Sequence, residues 1–173
     1  MQLSALNLRQ RDGVTCGPTV VVVAGALLGH EADLSDPAWF AAEQAKVHAQ
    51  VNRVWPRRLG TTPTGLAHAL NARASGVRYR WRLFRGRRDA LSDVQRAVAE
   101  GWPVAMLTGR VIPRHWVLIV EATGQWWQCY EPSSGHVRTV AVDAVRRAQL
   151  TGLGYPRPFA FVLPNASTRS ATT

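Results

Sequence analysis

A chain of 173 residues has room for one full core, and an apolar fraction of 46% with seven Trp excludes a disordered polymer. No apolar run reaches the ~20 residues of a membrane span, and the first residues lack a signal-peptide pattern, so the cytoplasm is the default compartment. A net charge of +10, carried by Arg with Lys46 as the single Lys, favours anionic partners without naming one. Residues 3–8 read as an apolar lead-in to Gln10. A first helix is expected over 18–28, because Pro18 suits a first helical position and Gly29 a C′ stop. Its four consecutive Val are mediocre helix formers, so burial must hold it. Asp36-Pro37 and Thr62-Pro63 each read as an N-cap with Pro at N1, starting helices over 37–51 and 63–74. Residues 77–84, VRYRWRLF, alternate: Val77, Tyr79, Trp81 and Leu83 take the face expected inside, and Arg78, Arg80 and Arg82 the face expected outside. A fourth helix fits 91–100. Strands follow over 104–108, 115–122, 125–131 and 137–142, then a short helix over 142–150 and a last strand over 159–163. Helices first and an antiparallel sheet afterwards is the α+β pattern. One domain over 1–164 is expected, with 165–173 a disordered polar tail.

Chemistry concentrates in two stretches. In QRDGVTCGP, residues 10–18, Cys16 directly precedes the first helix. Orphan N–H groups and the helix dipole at such a position favour a negative charge, and with it the nucleophilic thiolate. In RHWVLIVEATGQWWQCYEPSSG, residues 114–135, His115 opens one strand and Glu131 ends the next. Joined around Thr123-Gly124, these strands would supply a base and the acceptor that orients it, the two groups a Cys nucleophile requires. Cys129 reads as a buried free thiol, and His48 and His68 as surface or packing residues of helices. Two Cys and five scattered His give neither a disulfide framework nor metal-ligand spacing, so no cofactor or metal is expected.

The order Gln10, Cys16, His115, Glu131 resembles that of papain-like cysteine peptidases. Within them it resembles the bacterial branch that trims double-glycine leader peptides from bacteriocins. That branch carries a Gln ahead of a D-x-x-x-C-G-like segment, then H-[aromatic]-V-V, then D-P-x-x-G. Here these read QRDGVTCGP, HWVLIV and EPSSG, spread over residues 10–135. The chain departs at Glu131, where the family usually has Asp or Asn. The resemblance implies a papain-like fold, with the nucleophile on the helical side and the base on the sheet side. It also implies a peptide substrate, Cys16 as nucleophile, His115 as base, Glu131 as its orienting acid, and Gln10 as an oxyanion donor beside the Cys16 backbone N–H.

Other readings stay open. The same residues serve deamidases and acyltransferases, and a basic binding module could stand on a peptidase-like scaffold. Arg78, Arg80 and Arg82, followed by Arg85, Arg87 and Arg88, form a candidate surface for an anionic partner. The plainer reading is a charged outer strand face that discourages edge pairing. No nucleic-acid-binding motif accompanies them.

Overall fold

Four Val followed by Ala and Gly make α1 (Cys16–Leu27) a helix whose first ten residues, Cys16 to Gly25, are all buried. A helix apolar on every side has to be a core helix. It ends in a Schellman turn, with Gly29 N–H on Ala26 O at 3.2 Å and His30 N–H on Gly25 O at 2.9 Å. These features come from a computed structural model that describes residues 8–13, 15–30, 32–51 and 61–165. Most of the expected lead-in over 3–8 and of the expected tail over 165–173 lies outside those residues.

Against α1 pack α2 (Pro37–Val51) and α3 (Pro63–Asn71). Both start as their sequences dictate. Asp36 Oδ1 accepts from Ala38 N–H at 2.8 Å, and Thr62 Oγ1 from Gly65 N–H at 3.1 Å. The third helix stops short of the expected residue 74, because the Asn71 amide binds both backbone groups of Tyr79, at 2.6 and 2.9 Å, and the chain turns into the sheet.

The remaining elements are β1 (Tyr79–Leu83), α4 (Ser92–Ala99), β2 (Val104–Gly109), β3 (Pro113–Thr123), β4 (Trp126–Glu131), β5 (His136–Ala141), α5 (Val142–Arg146) and β6 (Arg157–Pro164). The six strands form one antiparallel sheet in the order β1-β6-β2-β3-β4-β5. Helices α1–α3 cover one face, and α4 and α5 the other. The class is α+β, with the helical layer that carries Cys16 set against the sheet that carries His115. Cover on both faces explains why β2, VAMLTG, is buried at every residue and shows no alternation.

β1 corrects one expectation. Tyr79 is buried, but Trp81 is 43% and Leu83 64% exposed, whereas Arg82 is only 9% exposed. β1 is an edge strand, and beyond Tyr79 its apolar face is left open. Arg82 is drawn inward by Asp89 and Asp93 and lies over the Phe161 ring, 5.1 Å from its centroid. It is therefore not available to an anionic partner, unlike the exposed Arg78 and Arg80.

The sheet is irregular between β3 and β4. Their register runs Thr123↔Trp126, Ala122↔Trp127, Glu121↔Gln128, then shifts to Ile119↔Cys129 and Leu118↔Tyr130. Val120 is the extra residue of a β-bulge. Among the described residues no helix is long and apolar enough to cross a membrane.

Candidate functional site

Cys16 is itself the first residue of α1, two positions earlier than Pro18. The first i→i−4 bond runs from Thr19 N–H to Thr15 O at 2.9 Å, so the Cys16 and Gly17 amides belong to the orphan donors of the first turn and Pro18 has none to offer. The Cys16 side chain is 3% exposed. Gly17 has to be a glycine, because a Cβ there would overlap the Thr61 side chain. Thr61 in turn accepts a hydrogen bond from Trp116 Nε1 at 2.8 Å through its backbone oxygen. The mouth of α1 is thereby held against the residue that follows His115.

His115 and Glu131 meet: the ring Nε2–H donates to Glu131 Oε1 at 2.7 Å, and both residues are buried. The Val120 bulge makes this meeting geometrically available. In the register nearest the turn, continued without a bulge, Glu131 would stand opposite Leu118 and share the α1–α3 face. The one-residue shift instead makes Val117 its next partner, and residues two apart on a strand share a face, so Glu131 comes to the side of Val117 and His115.

The longer acid at Glu131 is accommodated by folding back over its own turn. Its Oε1 accepts from Ser133 N–H at 2.8 Å and from the Ser133 hydroxyl, and its Oε2 from Ser134 N–H at 2.9 Å. Burial alone would raise the Glu131 pKa, but the hydrogen bonds from His115, Ser133 and Ser134 overcome it and hold the carboxylate well below its usual range. Burial likewise acts to lower the His115 pKa. Hydrogen bonds to Cys16 and Glu131, and the charges of both, outweigh it and raise the value to about 9. With Nε2 engaged by Glu131, Nδ1 is the nitrogen left to face the thiol. A protonated ring between a thiol and a carboxylate is an acid poised beside a nucleophile.

Gln10 lies beside the acid's turn. Its N–H donates to Pro132 O at 2.9 Å, and Arg9 Nε donates to Ser134 O at 3.1 Å. The glycine of EPSSG is explained here: Gly135 has φ +72, and a Cβ on it would sit 2.7 Å from Leu8 O. The Gln10 side-chain Nε2 donates to Asp12 O at 2.6 Å, which fixes the amide plane and leaves its second N–H uncommitted. Among the described residues its Oε1 is buried without a hydrogen-bond partner.

Four further residues shape this region. Ser133 and Ser134 clamp the acid, and a polar residue directly after an acid-Pro pair is the signal that could have marked them. Tyr155 sets its ring 6.0 Å from that of His115, brought there by a loop forty residues further along the chain. Gln44 on α2 is buried beneath the Gln10 segment; it stands in the stripe Phe40, Gln44, Val47, where a lone polar residue among apolar ones was a visible clue. Cys129 is a free, fully buried thiol on β4 whose pKa burial drives far up. Among the described residues no group of three or more His, Cys, Asp or Glu is placed to hold a metal ion.

No protein-family model matches the chain, and no curated protein matches it. Solved structures do. The fold is similar to that of a double-glycine motif protease from an AMS/PCAT transporter, crystallised with the leader peptide, at a TM-score of 0.56 and 12% identity over 91% of this chain and 88% of that one. It is also similar to the peptidase domain of Streptococcus ComA, a bifunctional ABC transporter of a quorum-sensing pathway, at a TM-score of 0.51 and 15% identity over 91% of this chain and 97% of that one. The fold is that of these peptidase domains, as the sequence motifs imply.

Proposed function

We propose that the chain is a cysteine peptidase whose nucleophile is Cys16, with His115 as acid and base, Glu131 as the group that orients the ring, and Gln10 as an oxyanion donor. One observation carries the reading: a buried imidazole bonded through Nε2 to a carboxylate, with the thiol of a helix-terminal Cys as its other partner. In the reaction the Cys16 sulfur attacks the carbonyl carbon of a peptide bond. The resulting oxyanion takes hydrogen bonds from the Cys16 backbone N–H and the free N–H of Gln10. His115 gives its proton to the leaving amine, and a thioester remains on Cys16. The neutral ring then draws a proton from water as the water attacks the thioester, which releases the acid product and restores the thiol. Glu131 keeps Nε2 protonated throughout, so that Nδ1 does the proton transfer.

The substrate is a peptide with small residues ahead of the cut, of which a Gly-Gly pair is the leading case. The similar peptidase domains supply that class, one being a double-glycine motif protease and crystallised with a leader peptide. The 3% exposure of Cys16 agrees with a substrate that is slim beside the cut.

Wild type and Cys16→Ala would be incubated with a peptide pool containing internal Gly-Gly pairs and read by mass spectrometry, alongside iodoacetamide labelling near neutral pH. Cleavage after small residues by wild type alone, with Cys16 labelled before Cys129, is the expected result. Intact peptides heavier by about one dalton would make the enzyme a deamidase. No turnover, with both thiols labelled equally slowly, would remove the catalytic reading altogether.

A further inference from the structure

Gln44 is 1% exposed, on a helix that supplies neither Cys16, His115, Glu131 nor Gln10. Both ends of its amide are engaged. Nε2 donates to Arg9 O at 3.1 Å, and Oε1 accepts from Arg11 N–H at 3.2 Å. The orientation is unambiguous, because a carbonyl can only accept and an amide N–H can only donate. Arg9 and Arg11 are the two neighbours of Gln10, so the Gln44 side chain grips the main chain on both sides of it, as a partner strand would. The same Oε1 meets the Thr19 hydroxyl at 2.9 Å, and that hydroxyl shares its proton with Thr15 O at 2.7 Å. Thr15 and Thr19 flank Cys16 in the first turn of α1, and both are buried. One side chain thus fastens the backbone of Gln10 to the helix turn that presents the nucleophile.

We propose that Gln44 is the positioning residue of the oxyanion donor: it sets the distance between the Gln10 amide and the Cys16 sulfur without touching substrate. This rests on the peptidase reading of the site. Without Gln44, Gln10 keeps its bonds to Pro132 O and Asp12 O, and Asp12 meets the Thr15 hydroxyl through its N–H at 3.2 Å and its O at 3.3 Å, so the local turn before α1 remains while the brace from α2 across it is lost. The donor would then be held to the nucleophile by that one short turn alone. Displacement by a fraction of an ångström to one ångström is enough to lose most of a transition-state hydrogen bond while substrate binding continues.

The test compares kcat, KM, Cys16 alkylation and inhibition by a peptide aldehyde in wild type, Gln10→Ala, Gln44→Leu and the double variant. An aldehyde adds to Cys16 as a hemithioacetal whose oxygen needs the same donor, whereas iodoacetamide alkylation forms no oxyanion. Gln44→Leu is expected to lower kcat by about ten- to a hundredfold, to leave KM near its wild-type value, and to weaken aldehyde inhibition by a similar factor. Alkylation should stay within about twofold of wild type, because the thiol and His115 are untouched. The double variant should be no slower than Gln10→Ala, since Gln44 acts only through Gln10. If Gln44→Leu does not fold, Gln44→Glu keeps the acceptor for Arg11 N–H but sets a carboxylate against Arg9 O, and a smaller loss of the same pattern is expected. Additive losses in the double variant, or an equal fall in alkylation, would show a structural role and overturn the proposal. So would normal kcat in both Gln44 variants while Gln10→Ala is slow. A wild type that cuts nothing, or a Gln10→Ala variant that cuts normally, overturns the reading of Gln10 and this proposal with it.

Discussion

Two buried cations sit at different corners of the sheet, each between two acidic partners, and they do opposite things. At the β1 edge, Arg82 spends all five of its N–H groups: Nε and Nη2 on Asp93, Nη1 and Nη2 on Asp89, and Nη1 also on Leu83 O. Guanidinium does not titrate in the accessible range, and no donor is left over. At the other site, His115 stands between the Cys16 thiol and the Glu131 carboxylate with one ring nitrogen for each. Its proton can leave, and a thiol stands beside it. Burial and charge pairing are common to both clusters, so neither marks a functional centre. An exchangeable proton beside a thiol is what sets the His115 cluster apart and supports the proposal.

That contrast predicts where damage will fall. His115→Ala should abolish turnover, by at least about three orders of magnitude, with circular dichroism unchanged; it should also slow Cys16 alkylation at pH 6–7, because the thiolate loses its counter-ion. A folded variant that alkylates at the wild-type rate would detach His115 from Cys16. Glu131→Ala should lower kcat/KM by about one to three orders of magnitude. Glu131→Asp should also be impaired, since the Ser133 and Ser134 amides are placed for the longer acid. Full activity in Glu131→Ala would reduce that carboxylate to a turn residue.

Arg82→Met should reverse the pattern. Two carboxylates would be left without their cation, at a cost on the order of 3 kcal/mol, or roughly 6–12 °C in Tm, while kcat per folded molecule stays within about twofold. Loss of activity without loss of Tm would mean that the edge cluster is not merely structural.

The smallest effects concern pH. The folded His115 pKa of about 9 lies above the ~6.5 of an unfolded His, so the stability it contributes is complete below about 6.5 and disappears as pH rises through about 9. Turnover should show its alkaline limb in the same range. Glu131, Asp89 and Asp93 are all held below the usual carboxylate range. Their contributions are present above about 4.3 and fade on acidification through the folded values, so acid weakens both clusters and alkali only the one around His115. In Cys16→Ala the His115 pKa, followed by NMR, should fall below that of the wild type.

How much of this was legible before the structure differs from residue to residue. The starts of α2 and α3 were, because Asp36-Pro37 and Thr62-Pro63 are local devices that act within four residues. The run from His115 to Glu131 was, because turn and strand signals sit side by side in it. The inward side of β1 was not: period two marked Arg82 as outward, and only Asp89 and Asp93, in segments whose arrival at β1 is a matter of tertiary packing, reverse it. Cys16, His115 and Glu131 were readable as residue types in order. Their coupling to Tyr155 and Gln44 was not, since those two reach the site from a distant loop and a separate helix.

The bulge at Val120 gives the hairpin a rule about insertions and deletions. Straightening it with every residue kept would send either His115 or Glu131 to the opposite face of the sheet, whereas removing Val120 would join Ile119↔Cys129 to Glu121↔Gln128 in a regular ladder with both still on one face. Adding two residues at the turn around Gly124 would move the tip outward and leave both where they are. What the site requires of this stretch is therefore the parity of its paired residues, the bulge left out, more than its exact length or the identity of the residues that fill it.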